Sequence, residues 1–279
     1  MQIKLVDNNF EHQPGLSPFI APTHSFRREI DNPDVVIFTD SRCFNDDVDS
    51  YKCKKIAWII EPPIVNGENH SNIAKPEFYT KFDKVCTYNR WLEDKIDNFS
   101  FVAHGGTWLR KEDIDIWGKT KACSMIYSDK SWNAGHKQRL RVVESLKNNN
   151  SEVEYFGSGC NKPVDYKITA LKDYRFSIAM ENEAPPYLFA PNNDYFSEKL
   201  LDCFLTGTIP LYYGNPTITN YFNHKGMIIF TDPDQILDAI SNTSEDFYNN
   251  AIEAVRENYE LAKSYINPED AIYKQALNV

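Results

Sequence analysis

Short apolar runs, each closed by polar groups, recur along this 279-residue chain. Their apolar character is nearly continuous, which is typical of strands buried on both faces of a parallel sheet. Charged or helical segments separate the runs, so strands alternate with helices or loops. The pattern therefore predicts an α/β protein with two Rossmann-like halves. Its strands are expected at residues 2–6, 34–40, 55–61, 84–89, 100–104, 122–128, 153–157, 176–182, 208–214 and 226–232.

The stretch 173–230 contains the clearest strand–helix–strand unit. FSIAMEN (176–182) is an apolar run that ends in polar groups, and TIPLYYG (208–214) is a second run closed by Gly. Between them, directly after Glu198 and Lys199, apolar residues recur at helical spacing. Such a unit collects polar side chains at the carboxyl ends of its strands, where open α/β sheets bind ligands. Phosphate is the ligand that this arrangement suits best.

Three blocks of this stretch carry a family resemblance. They are F-S-I-A-M-E-N at 176–182, Y-F-S-E-K at 195–199 and G-T-I-P-L-Y-Y-G at 207–214. In this order they resemble the C-terminal motif of the glycosyltransferase family 10 α-1,3-fucosyltransferases. The resemblance covers roughly residues 120–235 well and the N-terminal part only loosely. It implies a GT-B fold, in which two Rossmann-like domains face each other across a cleft and a C-terminal helix crosses back.

The domain boundaries follow from interruptions of the strand pattern. We expect an acceptor-side domain at 1–115, a nucleotide-sugar-binding domain at 116–260 and a returning helix at 261–279. The first boundary is expected in the charged stretch 110–121, RKEDIDIWGKTK. From Ser244 onward the sequence is typical of helix, with a break at Asn267-Pro268.

The resemblance implies donor-binding roles for the residues of the second block. Lys199 is a point cation at the start of a helix and would neutralise a diphosphate. Glu198 would accept hydrogen bonds from sugar or ribose hydroxyls. Tyr195 would pack on the ribose or the base, and plain core packing is the alternative for this ring.

A second phosphate ligand is expected, because one Lys does not balance a diphosphate. The segment 125–146 resembles one in family members that has an Arg in the first turn of a helix, seven residues before a core Leu. That register selects Arg139, with Arg141 and Lys137 as near rivals. The guanidinium fork grips two phosphate oxygens at once and stays charged. Asn182 is a further candidate partner for ribose or phosphate, or else caps a loop.

The catalytic base is expected in the N-terminal half, across the interdomain cleft. Glu61 follows a buried strand and precedes Pro62-Pro63, which hold the chain extended. This segment resembles one in family 10 enzymes, in which a Glu is followed shortly by Pro. The resemblance implies that Glu61 deprotonates the acceptor hydroxyl. Asp40, at the end of the preceding strand, and His104 are the alternatives.

The implied reaction is a single inverting displacement that transfers fucose from GDP-fucose to a glycan hydroxyl without a metal ion. Asp-x-Asp triplets at positions 47–49, 113–115 and 232–234 are expected by chance among 40 Asp and Glu residues. One departure from the family leaves the donor open: twelve residues, EAPPYLFAPNND at 183–194, separate Asn182 from Tyr195. This insert is expected to be a shaped loop. A different donor such as a UDP-pentose is therefore an alternative.

Composition narrows the class of protein further. A net charge of −10 speaks against a nucleic-acid partner, because phosphate backbones need a basic surface. No stretch reaches the roughly 20 apolar residues of a membrane span. With no signal peptide, this predicts a soluble, cytoplasmic protein. The six cysteines lack C-x-x-C spacing and are expected to be reduced core thiols. A non-catalytic nucleotide- or sugar-binding module and a Rossmann-type oxidoreductase stay open as other classes, and the sequence does not predict the oligomeric state.

Overall fold

The computed structural model describes residues 1–8, 16–24, 26–183 and 193–276. It contains ten strands in these residues, and all ten lie where the apolar runs predicted them. The strands are β1 (Ile3–Val6), β2 (Val35–Thr39), β3 (Lys54–Ile59), β4 (Lys84–Thr87), β5 (Phe99–Phe101), β6 (Lys121–Ile126), β7 (Val153–Phe156), β8 (Tyr174–Met180), β9 (Ile209–Tyr213) and β10 (Ile228–Ile229). The α-helices are α1 (Pro63–Ile73), α2 (Pro76–Tyr79), α3 (Ala134–Asn148), α4 (Glu198–Phe204), α5 (Ile236–Ser241), α6 (Glu245–Asn250), α7 (Ile252–Ala262) and α8 (Pro268–Ala276).

The chain divides into two compact units. Unit 1 comprises Met1–His104, Phe189–Tyr195 and Asn267–Val279, and unit 2 comprises Gly105–Leu188 and Phe196–Ile266. The first boundary thus lies between His104 and Gly105, before the charged stretch 110–121 in which the sequence analysis placed it. The stretch 110–121 belongs to unit 2, because its backbone is hydrogen-bonded to that unit: Asp115 N–H donates to the Leu205 carbonyl at 3.1 Å.

Unit 1 is built on a parallel five-stranded sheet in the order β1-β2-β3-β4-β5. All five residues of β2 are buried, as a continuous apolar run in a parallel sheet predicts. α8 belongs to this unit although it follows the helices of unit 2 in sequence. Its Ile272 is fully buried in the core that includes Ile3 and Val35. The last helix therefore returns to the first sheet.

Unit 2 carries a second parallel five-stranded sheet, in the order β10-β9-β8-β6-β7. α3 covers it with an amphipathic face whose Val142, Val143 and Leu146 are buried against the sheet residues. Leu146 is 0% exposed, so truncating it to Ala would cost about 2–5 kcal/mol of stability. This packing fixes the N-terminal part of α3 over the carboxyl ends of β6 and β8.

The C-terminal segment is helical but interrupted. The Ser244 hydroxyl caps α6 by accepting a hydrogen bond from Phe247 N–H at 3.0 Å. The helix breaks at Asn267-Pro268, as the sequence predicted, and Pro268 opens α8. In the described residues no helix is long and apolar enough to cross a membrane. All six cysteines are free thiols, and four of them are buried.

Candidate active site

A cavity of about 360 Å³ opens in unit 2 beside the ends of β6, β7 and β8. Three cationic side chains line it, those of Arg139, Lys167 and Lys199, together with the carboxylates of Glu198 and Asp202. Arg139 and Lys199, the two phosphate ligands predicted from sequence, therefore line the same cavity. Their roles in binding phosphate remain predictions.

Arg139 reaches the cavity from the second turn of α3, one turn later than the sequence analysis expected. Its side chain is 7% exposed. The guanidinium Nη2 donates to the Met180 carbonyl at 3.1 Å and to the Asn182 Oδ1 at 3.0 Å. Asn182 thus orients Arg139, while its predicted contact with ribose or phosphate is untested. The rival Arg141 is half exposed and pairs with Asp234.

A close approach of two segments fixes α3 against the end of β8. At Gly135, in the first turn of α3, a Cβ would lie 2.0 Å from the Asn182 carbonyl oxygen. No side chain fits there, because real Cβ contacts do not occur at such distances. Glycine therefore lets the loop that carries Asn182 touch the helix that carries Arg139.

Lys199 is held at the start of α4 by a buried carboxylate. The Ser197 hydroxyl caps the helix and accepts a hydrogen bond from Lys199 N–H at 3.3 Å. Glu181, which is 0% exposed, accepts from Ser197 N–H at 2.8 Å and from its hydroxyl at 2.7 Å. The Lys199 ammonium lies 3.5 Å from the Glu181 carboxylate and 3.5 Å from that of Glu198. Its position is thus set before any ligand binds.

Sequence reasoning missed the third cation. The Lys167 ammonium is 2.8 Å from the Asp202 carboxylate and 3.5 Å from Glu198. Burial alone would lower the pKa of Lys167, but the carboxylates of Asp202 and Glu198 outweigh it and raise the pKa above its ordinary value. Lys167 is therefore charged at neutral pH. It begins a short 3-10 helix, Lys167–Ala170, outside every motif, so no sequence signal marked it.

His136 reports the positive potential around these side chains. It is 4% exposed in the first turn of α3. Its pKa is lowered by burial and by the positive charges of Arg139, Lys130 and Lys199. The imidazole is therefore neutral at pH 7, as expected beside a basic pocket in an otherwise acidic chain.

Tyr195 does not line this cavity. Its ring is 3% exposed and packs in unit 1 against Tyr88 and His104, at centroid distances of 5.1 and 5.0 Å. This is the core packing that the sequence analysis kept as the alternative. Nine of the twelve residues of the insert 183–194 fall outside the described residues, so its expected shape is untested.

Glu61 lies in unit 1, two residues beyond the end of β3, and is half-buried. Asp40 and His104, the alternative bases, differ in exposure: Asp40 is 1% exposed, and His104 is partly exposed beside Tyr88. A half-buried carboxyl suits general-base chemistry better than a sealed one, because it must reach a substrate hydroxyl.

Each of the three Asp-x-Asp triplets has an Asp that pairs with an Arg. Asp47 pairs with Arg42, Asp113 with Arg110 and Asp234 with Arg141. Across the described ranges, no three His, Cys, Asp or Glu side chains are grouped so that they could hold a metal ion.

Gly157-Ser158-Gly159 does not form the phosphate loop of a dinucleotide fold. It leads into a short 3-10 turn, Ser158–Cys160, rather than an α-helix. A phosphate loop of that kind needs a helix N-terminus behind it. This turn therefore gives no support to a Rossmann-type oxidoreductase.

Known proteins resemble this chain in sequence and in fold. A protein of Acanthamoeba polyphaga mimivirus that is named a fucosyltransferase is 27% identical over 235 residues, which are 77% of this chain and 36% of the relative. The chain thus spans about a third of that relative's length. Among solved structures, an α1,3-fucosyltransferase with GDP-fucose superposes with a TM-score of 0.52 at 16% identity, covering 87% of this chain and 81% of the other. The apo structure of OtsA gives 0.55 at 8% identity, covering 88% and 73%.

The fold of the chain is thus GT-B, since its structural neighbours are GT-B glycosyltransferases. The family model described as "Glycosyltransferase family 10 (fucosyltransferase) C-term" matches residues 116–250. This range contains the cavity's Arg139, Lys167, Glu198 and Lys199 and all three blocks of the sequence motif. The candidate site therefore lies within the part of the chain that matches the C-terminal domain of the glycosyltransferase family 10.

Proposed function

We propose that this chain transfers fucose from GDP-fucose to a hydroxyl group of a glycan acceptor. The observation that carries the proposal is that Arg139 and Lys199 line one cavity in a domain of the fucosyltransferase family. The viral relative is named a fucosyltransferase, and one structural neighbour was solved with GDP-fucose. These likenesses favour GDP-fucose over other donors.

The cavity suits the leaving group of such a donor. A nucleoside diphosphate leaves with negative charge on its phosphate oxygens, and two prearranged cations stabilise that charge without reorganisation. Arg139 offers a planar fork fixed by Met180 and Asn182. Lys199 offers a point charge fixed by Glu181 and Glu198. In this proposal Glu198 accepts a hydrogen bond from ribose or sugar hydroxyls.

The chemical step we propose is one inverting displacement. The Glu61 carboxylate accepts the proton of the acceptor hydroxyl, and the acceptor oxygen forms a bond to the anomeric carbon. The bond between that carbon and the β-phosphate oxygen breaks, and its electron pair leaves with the nucleoside diphosphate. Charge is conserved, because the proton stays on Glu61 until solvent removes it. No metal enters this scheme.

Donor binding is the first test. A ligand that binds only the folded state raises apparent stability by about 2.7 kcal/mol at a hundred times its Kd. We expect GDP and GDP-fucose to raise the melting temperature, and UDP and UDP-xylose to do so less. A larger shift with UDP-xylose would replace the proposed donor by a pentose donor. No shift with any of them would remove the proposal.

Transfer is the second test. A glycan array incubated with GDP-fucose would identify the acceptor, and NMR of the product would give its anomeric configuration. We expect inversion relative to the donor, with the same rate in EDTA. Retention would overturn the single displacement, and turnover that EDTA abolishes and Mn²⁺ restores would overturn the metal-free scheme. Donor binding without transfer to any glycan would leave a binding module.

A further inference from the structure

Asp40 has an unusual backbone conformation. It follows Thr39, the last residue of β2, and its φ is +45°, in the left-handed region that favours glycine. Its side chain is 1% exposed. A non-glycine residue stays in this region only where its surroundings specify it, and such residues cluster at functional sites. The question is therefore what Asp40 holds.

The Asp40 carboxylate holds the main chain of the proposed base. Its Oδ1 accepts hydrogen bonds from Ile60 N–H at 2.9 Å and from Glu61 N–H at 3.1 Å. The ladder between β2 and β3 ends at the pair Thr39 and Trp58. The side chain of Asp40 thus supplies hydrogen bonds to the two residues that follow β3 closely, Ile60 and Glu61, where the ladder with β2 has ended.

A second group holds Glu61 from its other side. His70, on α1, has its Nε2 2.8 Å from the Glu61 carbonyl oxygen and its Nδ1 3.0 Å from the Asn89 amide nitrogen. An amide nitrogen only donates, so Nδ1 accepts and the Nε2 proton is donated to Glu61. Burial lowers the pKa of His70 to about 4, so this tautomer is neutral at physiological pH.

The chain that leaves Glu61 is equally constrained. Pro62 is extended, with ψ at 152°, and Pro63 begins α1. The N–H and C=O of Glu61 are both bonded and its exit is fixed, while its side chain remains half-buried rather than sealed.

We infer that Asp40 is a positioning residue for Glu61: its carboxylate fixes the main chain at the end of β3 so that the base is held in one place. This inference rests on the proposed role of Glu61. Asp40 itself was an alternative base, but its burial and its two main-chain bonds make it act through Glu61. Displacing a reacting group by about 1 Å costs on the order of 100-fold in rate, so such positioning is catalytically important.

Two substitutions separate strain from hydrogen bonding. Asp40→Gly adopts the left-handed conformation without cost but lacks the acceptor oxygen. Asp40→Asn keeps an acceptor oxygen and tolerates this conformation. We expect Asp40→Gly to lower kcat by about 10- to 100-fold with GDP-fucose affinity unchanged. Asp40→Asn should keep a larger share of kcat. Asn150, with a φ of +52°, gives the matched control Asn150→Gly.

A double-mutant cycle with Glu61→Gln decides the matter. If Asp40 acts by positioning the base, Asp40→Gly lowers kcat much less once the base is gone. An equal loss in both backgrounds, or a wild-type kcat in Asp40→Gly, overturns the inference alone. Full turnover in Glu61→Gln removes the proposed base, and with it the inference. Thermal melts of each variant verify folding, and glycine is preferred to alanine because it relieves strain.

Discussion

Each unit of the molecule places a buried carboxylate at the end of an interior strand of its sheet, and the two carboxylates hold different groups. In unit 1, Asp40 follows β2 and accepts hydrogen bonds from the main chain at Glu61. In unit 2, Glu181 follows β8, accepts both hydrogen bonds of Ser197 and lies 3.5 Å from the Lys199 ammonium. Asp40 thus fixes the main chain of the proposed base, Glu61, and Glu181 fixes the ammonium of Lys199.

The difference matches the two halves of a transfer reaction. A base must be held but must keep its proton affinity, and Glu61, the proposed base, is fixed through its backbone N–H and carbonyl. A side chain that binds phosphate must be charged, and Lys199, which has this role in the proposal, is fixed through its ammonium group. In the proposed function, a buried carboxylate at a strand end therefore supports proton acceptance in unit 1 and anion binding in unit 2.

The largest effect is expected at Glu61. Glu61→Gln keeps the shape of the side chain and removes its proton affinity, so kcat should fall by about 10²- to 10⁴-fold. GDP-fucose affinity, measured by calorimetry, should stay unchanged. Glu68→Gln, at an exposed position of α1, is the matched control and should retain full turnover. Unchanged turnover in Glu61→Gln would remove the first half of the comparison.

The cations of unit 2 come next. Arg139→Ala and Lys199→Ala each remove a charge-assisted contact to phosphate, worth about 1.5–3 kcal/mol, so GDP should bind about 10- to 100-fold more weakly. Arg141→Ala is the control, because Arg141 lies on the same helix but pairs with Asp234 at the surface. If Arg141→Ala weakened GDP binding as much, the register that selects Arg139 would be wrong.

The sequence predicts some of these features well and others not at all. All ten strands were predicted, because strands buried on both faces leave continuous apolar runs. Lys199 was found because it sits in a local motif, and its capping Ser197 is two positions away. Arg139 was selected by resemblance, and its helix turn was misjudged because helix starts depend on capping: α3 begins after Asn133, whose side chain accepts from His136 N–H.

Other parts of the site were invisible from sequence. Lys167 pairs in the cavity with Asp202, 35 positions away, and with Glu198. Glu181 lies inside the motif, but its contact with Lys199 depends on how the chain returns after the insert. Asp40 was considered as a base, and nothing in the sequence shows that its carboxylate would bind backbone N–H groups. Such contacts are set by tertiary packing rather than by local pattern.

A third buried carboxylate lacks full hydrogen bonding, and this sharpens the comparison. Glu269 on α8 is 2% exposed and accepts from Leu16 N–H at 2.9 Å. Within the described part of the chain its Oε2 has no hydrogen-bond partner. Burial raises the pKa of Glu269 from an ordinary value of 4.5 to about 7. Unlike Glu181, this carboxylate is therefore destabilised when ionised.

The raised pKa of Glu269 predicts a pH dependence of stability. Its contribution is fully present below about pH 4.5 and is lost as the pH rises through about 7. Between pH 5 and pH 7 the loss is about 2 kcal/mol. Thermal or urea unfolding at both pH values would measure it. Glu269→Gln should remove this share, whereas Glu77→Gln, exposed on α2, should not. An identical pH dependence in wild type and Glu269→Gln would contradict the prediction.

The smallest effect, and the sharpest test of the comparison, is at Glu181. Glu181→Gln still accepts from Ser197 N–H but no longer attracts the Lys199 ammonium. If Glu181 positions that ammonium, GDP affinity should fall by about threefold to tenfold, because the cation must be ordered on binding. Glu154→Gln is the control, since Glu154 pairs with Lys121 and Lys162 away from the cavity. Tighter GDP binding in Glu181→Gln would mean that the carboxylate competes with phosphate for Lys199, and the parallel with Asp40 would then fail.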